Sequence, residues 1–168
     1  MTLWYLHHGG QDILDRYLTA HPPTLAVEAG GGDTTLILAR HASRLVSLEH
    51  LAKYAKMTRD RLAAADLTAD LRLCPLVPLG TPAGTFPWYD TELPDDIDFA
   101  LIDGPPLAVG RKAALFALWP HLTPDAEVWL DDAHRPHEKE CLALWGAHLP
   151  ITVEPIDGRL VCIRRHVT

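Results

Sequence analysis

Short apolar runs, each halted by a glycine or an acid, alternate with amphipathic segments along this chain, and that alternation restricts the fold more than any other feature. Thr24-Leu25-Ala26-Val27-Glu28 stops at Gly30-Gly31-Gly32, and Thr34 to His41 then carries Leu36, Ile37 and Ala39 at helical spacing. Strand, glycine turn and helix come in that order. The unit recurs: Arg44 to Leu48 reads as a strand, and from His50 onward Leu51, Tyr54, Ala55, Thr58, Leu62 and Ala65 mark one face of a helix. Leu71 to Cys74 is a third strand. Ile97 to Ile102, closed by Asp103-Gly104-Pro105-Pro106, is a fourth, followed by a helix over Arg111 to Pro120. Glu127 to Leu130, closed by Asp131-Asp132, is a fifth, and Pro136 suits the first turn of a helix running to about His148. Ile151 to Val153 and Leu160 to Ile163 are predicted as two strands joined around Asp157-Gly158.

Seven strands separated mostly by helices, and apolar on both faces, predict an α/β fold: a mostly parallel sheet with helices on either side and an antiparallel strand at the carboxyl end. At 168 residues the chain is expected to form a single domain, 1–168. Within it, residues 1–22 form an amino-terminal segment with a short helix over Gln11 to Ala20, stopped by Pro22-Pro23. Residues 75–96, with Pro75, Pro78, Pro82, Pro87 and Pro94, are expected to be a long surface loop, because proline disfavours helix interiors and central strands. In such sheets ligands sit beyond the carboxyl ends of the strands, where the strand order reverses. The chain places Gly30-Gly31-Gly32, Glu49, Asp103 and Asp131-Asp132 at those ends.

Composition narrows the function classes. Fifteen Lys and Arg against 22 Asp and Glu give a net charge of −7, and no run of five like charges occurs, which argues against a nucleic-acid backbone as partner. The longest apolar stretch, Ala113 to Trp119, is far below the roughly 18 residues of a membrane span. With no basic, apolar, small-residue leader, this predicts a cytoplasmic protein without membrane contact. Cys74, Cys141 and Cys162 are odd in number and lie in apolar surroundings, reading as reduced core residues.

The glycines at 30 to 32 let the chain turn sharply and let a ligand lie against bare backbone. A dinucleotide fingerprint would need glycine at 30, 32 and 35, and this chain has Thr35. Glu49, 21 residues beyond Glu28, fits the spacing of an acid that bonds ribose hydroxyls. Val27-Glu28-Ala29-Gly30-Gly31-Gly32 with Ser47-Leu48-Glu49-His50 resembles the first two motifs of class I S-adenosylmethionine-dependent methyltransferases, over about Thr24 to Arg164. The resemblance implies a Rossmann-like sheet of seven strands and S-adenosylmethionine (SAM) as cofactor. It assigns the methionyl part to Gly30 and Gly32, with Thr34 at the start of the following helix, and the ribose to Glu49 with His50 at the cofactor's rim. Glu28 would support the loop or reach the cofactor amine. The reading without a cofactor is that Glu28 caps backbone amides and Glu49 caps the helix after it.

Asp98-Phe99-Ala100-Leu101-Ile102-Asp103-Gly104-Pro105 and Val128-Trp129-Leu130-Asp131-Asp132 are similar to the fourth and fifth strand ends of metal-dependent small-molecule O-methyltransferases. That similarity implies Mg²⁺ on Asp103, Asp131 and Asp132, and transfer of a methyl group to an oxygen, or less readily a nitrogen, of a small-molecule acceptor. Asp103 and Asp131 lie 28 residues apart, enough for one crossover, but Asp131 and Asp132 face one site only if the strand bends between them. The plainer reading is that Asp103 steadies the Gly-Pro turn and Asp132 pairs with Arg135. His134 and His137, flanking Arg135-Pro136, are candidate general bases, with His134 the better placed and beside Asp103 in the catalytic set, and His7-His8 could reach the same mouth. Trp88-Tyr89 could line the pocket or anchor the proline-rich segment, and Arg111 could face substrate or solvent. No polar residue ends the third strand to read adenine, which leaves backbone after Leu79 or Gly80. The short chain leaves the acceptor pocket open or completed by a partner chain, as in a homodimer. The rivals are a catalytically silent cofactor- or partner-binding module and an NAD-dependent oxidoreductase, the latter disfavoured by Thr35. A nucleic-acid base methylase is disfavoured by Gly104 and Leu107, which break an Asp-Pro-Pro-aromatic pattern.

Overall fold

The structure is a computed structural model and describes residues 8–166. In chain order the elements are α1 (His8–Ala20), β1 (Leu25–Ala29), α2 (Asp33–His41), β2 (Arg44–Glu49), α3 (Ala52–Ala64), β3 (Asp70–Leu73), β4 (Leu76–Thr81), β5 (Gly84–Tyr89), β6 (Ile97–Ile102), α4 (Ala114–Leu118), a 3₁₀ turn (Trp119–His121), β7 (Leu122–Leu130), α5 (Pro136–His148), β8 (Ile151–Pro155) and β9 (Val161–Arg165). Seven strands form one sheet in the order β3-β2-β1-β6-β7-β9-β8, and β4 and β5 form a separate two-stranded ribbon. β9 runs antiparallel to both of its neighbours, and the remaining six strands share one direction.

The period-2 pattern of the strands sorts their side chains onto two cores. Val27, Val46, Leu48, Ala100, Ile102, Val128 and Leu130 face α4, α5 and the ribbon. Ala26, Leu45, Phe99, Leu101 and Trp129 face α1 and α2. Leu14 and Leu18, one helical turn apart on α1, are fully buried in the second core, where Tyr17 packs on Trp129 with ring centroids 4.8 Å apart. The three cysteines are free and buried.

Two parts depart from the sequence-based expectation. Residues 75–96 are not a plain loop: the crossover from β3 to β6 carries the β4–β5 hairpin. Asp90 N–H bonds the Pro75 carbonyl at 2.9 Å, so the bonded pairs fall at 75/90, 77/88 and 79/86. Pro78 and Pro87 therefore oppose each other at a pair that exchanges no hydrogen bond, where a missing N–H costs nothing. The helix expected over Arg111 to Pro120 shrinks to Ala114–Leu118, because Arg111 turns inward to the strand ends and Trp119–His121 tightens into a 3₁₀ turn. Among the described residues no helix is long and apolar enough to cross a membrane.

Candidate functional site

β1 lies between β2 and β6, so the strand order reverses there and a crevice opens beyond its carboxyl end. The ladder continues one residue past each strand: Gly30 N–H bonds Leu48 O (2.9 Å), Asp103 N–H bonds Ala29 O (3.0 Å), Asp131 N–H bonds Ile102 O (3.1 Å) and Cys74 N–H bonds Glu49 O (2.8 Å). Those bonds align Gly30, Glu49, Asp103 and Asp131 along one edge. Gly30 has φ +94°, and a Cβ there would stand 2.8 Å from Gly104 N. Only glycine allows the β1 and β6 ends to approach so closely.

Glu28 is fully buried beneath this loop. One carboxylate oxygen accepts the Thr34 hydroxyl, and the other accepts Thr35 Oγ1 at 2.5 Å and Ser47 Oγ at 2.7 Å. Thr35 Oγ1 also accepts Gly32 N–H at 2.9 Å. Burial pushes the Glu28 pKa up to about 7 against the pull of the three hydroxyls. The hydrogen bonds of Glu28 thus run to side-chain hydroxyls of α2 and β2 rather than to backbone amides. Glu49 Oε1 accepts the His50 and Leu51 N–H groups, both at 2.7 Å, and lies 3.1 Å from His50 Nδ1. Its capping role is thus present, and it falls on one oxygen of a carboxyl group that also lines the crevice.

Asp132 has φ +59°, the bend required for its carboxylate to join that of Asp131. Oxygens of Asp103, Asp131 and Asp132 lie within 4.8 Å of one another. Each aspartate has a different environment. Asp132 is engaged on both oxygens, Oδ2 by Arg135 at 2.6 Å and Oδ1 by Arg159. Asp103 Oδ1 accepts Arg111 Nη2 at 3.2 Å. Asp131 is 1% exposed and its Oδ1 has no hydrogen-bond partner among the described residues. Burial raises the pKa of Asp103 well above the usual carboxylate range, with Arg111 opposing and Asp131 and Asp132 adding to the rise. Burial, then Asp132, raises that of Asp131. Arg111 is buried and ties three segments together, donating to the carbonyls of Asp103 (2.5 Å), Asp131 (3.0 Å) and Pro105 (3.2 Å). Glu138 on α5, fully buried, sits 3.8 Å from its Nη1.

A cavity of about 610 Å³ runs along this edge. Of the residues singled out from sequence, Gly30, Gly32, Thr34, Glu49, His50, Asp103 and Asp132 line it, as do Tyr89 and Arg111. Glu28 and Asp131 stand behind its wall. His134 is exposed on the turn between β7 and α5 and is not in the lining, so the candidate base is not brought to the aspartates. The chain turns at Asp132 so that Ala133 is buried and Arg135 returns to the cavity, which leaves His134 on the outside of the turn. Leu79 and Gly80 belong to β4 and do not line the cavity, and Trp88 packs into the core. His7 and the side chain of His8 lie outside the described residues. Sequence reasoning missed one wall: Tyr54, Met57, Thr58 and Arg61 of α3. Met57 and Leu51 are 39% and 43% exposed, and such apolar positions on an otherwise polar surface were the available signal. The plainer sequence-based pairing of Asp132 with Arg135 is present, three residues apart in one turn, whereas Arg159, which reaches Asp132 from 27 residues further along the chain, was missed.

No protein-family model and no curated protein matches the sequence. Solved structures do match in three dimensions. An O-methyltransferase from Bacillus cereus, solved in complex with SAH, is 18% identical, with a TM-score of 0.73 over 98% of this chain and 84% of that one. A methyltransferase from Geobacter sulfurreducens is 19% identical, with a TM-score of 0.71 over 98% and 83%. A precorrin 8w decarboxylase from Methanobacterium thermoautotrophicum is 16% identical, with a TM-score of 0.62 over 90% and 88%. One architecture hosts more than one named reaction, so it does not fix the chemistry. What these likenesses establish is that the chain has the Rossmann-like fold found in methyltransferases of known structure.

Proposed function

We propose that this protein is a SAM-dependent methyltransferase that transfers the cofactor's methyl group to an oxygen of a small molecule. The observation that carries the reading is the shared cavity: a bare-backbone glycine loop at the strand-order reversal and the carboxylate of Glu49 one strand over line a single crevice. In this reading Gly30 to Gly32 receive the methionyl part, Glu49 accepts the ribose hydroxyls through the oxygen not used for capping, and His50 packs at the rim. The likeness to structures solved with SAH supports the same ligand. Asp103 closes the β6 end of the cavity, where the acceptor hydroxyl would meet the methyl group, and is the catalytic candidate for taking its proton. His134 would need the turn to move, which makes Asp103 the better-placed base. The net charge of −7 supports a small-molecule acceptor over a nucleic acid.

The aspartate cluster fits a hard divalent cation in donor type and spacing, a reading supported by Asp131 Oδ1, which has no hydrogen-bond partner among the described residues. Asp103, Asp131 and Asp132 would hold the ion, in competition with Arg111, Arg135 and Arg159. When bound, Mg²⁺ would lower the pKa of an acceptor hydroxyl. Activity that survives both chelation and Asp131→Ala removes the metal from the reaction. A second reading, a cofactor-binding module without turnover, is favoured by the exposure of His134 and by the arginines engaged on Asp103 and Asp132. Calorimetric titration with SAM, SAH and NAD tests the proposal: SAM and SAH bind and NAD does not. Binding of NAD alone overturns it, and SAM binding without turnover on hydroxylated acceptors selects the silent module.

A further inference from the structure

Tyr89 ends β5 and enters the cavity from the hairpin rather than from the seven-stranded sheet. The residue is 2% exposed, yet its hydroxyl has no hydrogen-bond partner among the described residues. A buried hydroxyl in that state is costly, and a ligand that approaches it recovers the loss. Its location is specific. A Cβ on Gly104 would stand 2.7 Å from Tyr89 Oη and 2.8 Å from Gly30 Cα, so the oxygen lies where the ends of β1 and β6 come closest. The ring packs edge-on against Trp88, with centroids 5.1 Å apart, and lies 6.2 Å from His50, which holds the hydroxyl at the cavity wall. Burial raises the Tyr89 pKa, and the leading charge acting on its hydroxyl is the negative one of Glu49, with Arg111 opposing and Asp103 and Glu28, whose own protons burial retains, adding only as they ionise. A positively charged ligand group is favoured at such a point.

We propose that the Tyr89 hydroxyl oxygen faces the sulfonium centre of the cofactor and makes the site prefer SAM to its neutral thioether product, SAH. The assignment rests on the methyl-donor reading above. In that reading the glycine loop takes the methionyl end and Glu49 the ribose, and the sulfonium is the charged atom between them. An oxygen lone pair directed at the polarised carbons around that sulfur attracts the charged form and gains little from the uncharged one.

The test is calorimetric titration of the full chain and its Tyr89→Phe variant with SAM and with SAH, together with ligand-free thermal unfolding. The variant is expected to bind SAM about fivefold or more weakly and SAH less than about twofold more weakly, the difference one lost hydrogen-bond-like contact produces. Its ligand-free unfolding midpoint should not fall, since the hydroxyl satisfies nothing in the empty protein. An unchanged ratio of SAM to SAH affinity overturns the proposal, whether both affinities drop together or neither moves. A wild-type chain that binds neither compound overturns the methyl-donor reading itself.

Discussion

Glu28 holds its proton where water does not reach it, which couples the stability of the whole chain to one carboxyl group. Below the ordinary glutamate value of 4.5 the group is protonated in both folded and unfolded chains. As pH rises through 4.5 the unfolded chain releases the proton, while the fold retains it until about 7. Stability should therefore fall across that window and level off above it, by about 3 kcal/mol from this group. Urea unfolding of wild type and Glu28→Gln at pH 4.5, 6 and 7.5 measures it: the slope present in wild type should flatten in the variant. At Gly30, alanine would meet both a φ of +94° and the Gly104 backbone, so Gly30→Ala should lose about 2 kcal/mol or more and forfeit cofactor binding. Gly146, on an exposed turn of α5 where an added Cβ would meet nothing within 4 Å, is the contrast: alanine there should raise stability by about 1 kcal/mol. Thr35 shows the limit of reading residues singly. Its presence argues against a dinucleotide turn, but its positive role, one hydroxyl shared by Glu28 and Gly32 N–H, needs the third dimension.

At the scale of elements, Arg111 substitutes for helix by joining the ends of β6 and β7 to the loop at Pro105, with Asp103 and, at longer range, Glu138 of α5 as its acidic partners. Arg111→Met would leave a buried carboxylate without compensation and should cost roughly 3–5 kcal/mol in chemical denaturation. Adding Glu138→Leu should recover part of that loss, and a double variant no more stable than the single one would show the pair to be uncoupled. Arg111 also accounts for the weakest sequence assignment, since a helix over 111–120 fits the periodicity and only a long-range demand for a guanidinium shortens it. The parallel strands were legible because burial on both faces leaves continuous apolar runs. The ribbon was not, because prolines that argue against a central strand are harmless at a non-bonded pair of a two-stranded one. In the site, the glycine loop and the strand-end acids were visible as local motifs. The α3 wall and Arg159 on Asp132 were not, because nothing in their local sequence distinguishes a solvated side chain from one folded over a cleft.

For the whole molecule, the site lies on the edge where five parallel strands end, so a ligand there touches β1, β2 and β6 together with α3 and the ribbon. Binding confined to the folded state must then stabilise the fold as one unit. At a concentration 100 times its dissociation constant, SAH should add about 2.7 kcal/mol. For a chain of 168 residues that corresponds to an unfolding midpoint raised by about 5–10 °C. Differential scanning calorimetry in the presence of SAH, NAD or no ligand reads this directly. NAD should leave the midpoint in place, and Glu49→Ala should reduce the SAH shift while leaving the fold intact, because the carboxylate's protein bonds are two caps at the start of α3. A full SAH shift in that variant would mean that the ribose is held elsewhere, and the cavity would then have to be assigned from the α3 wall rather than from the strand ends.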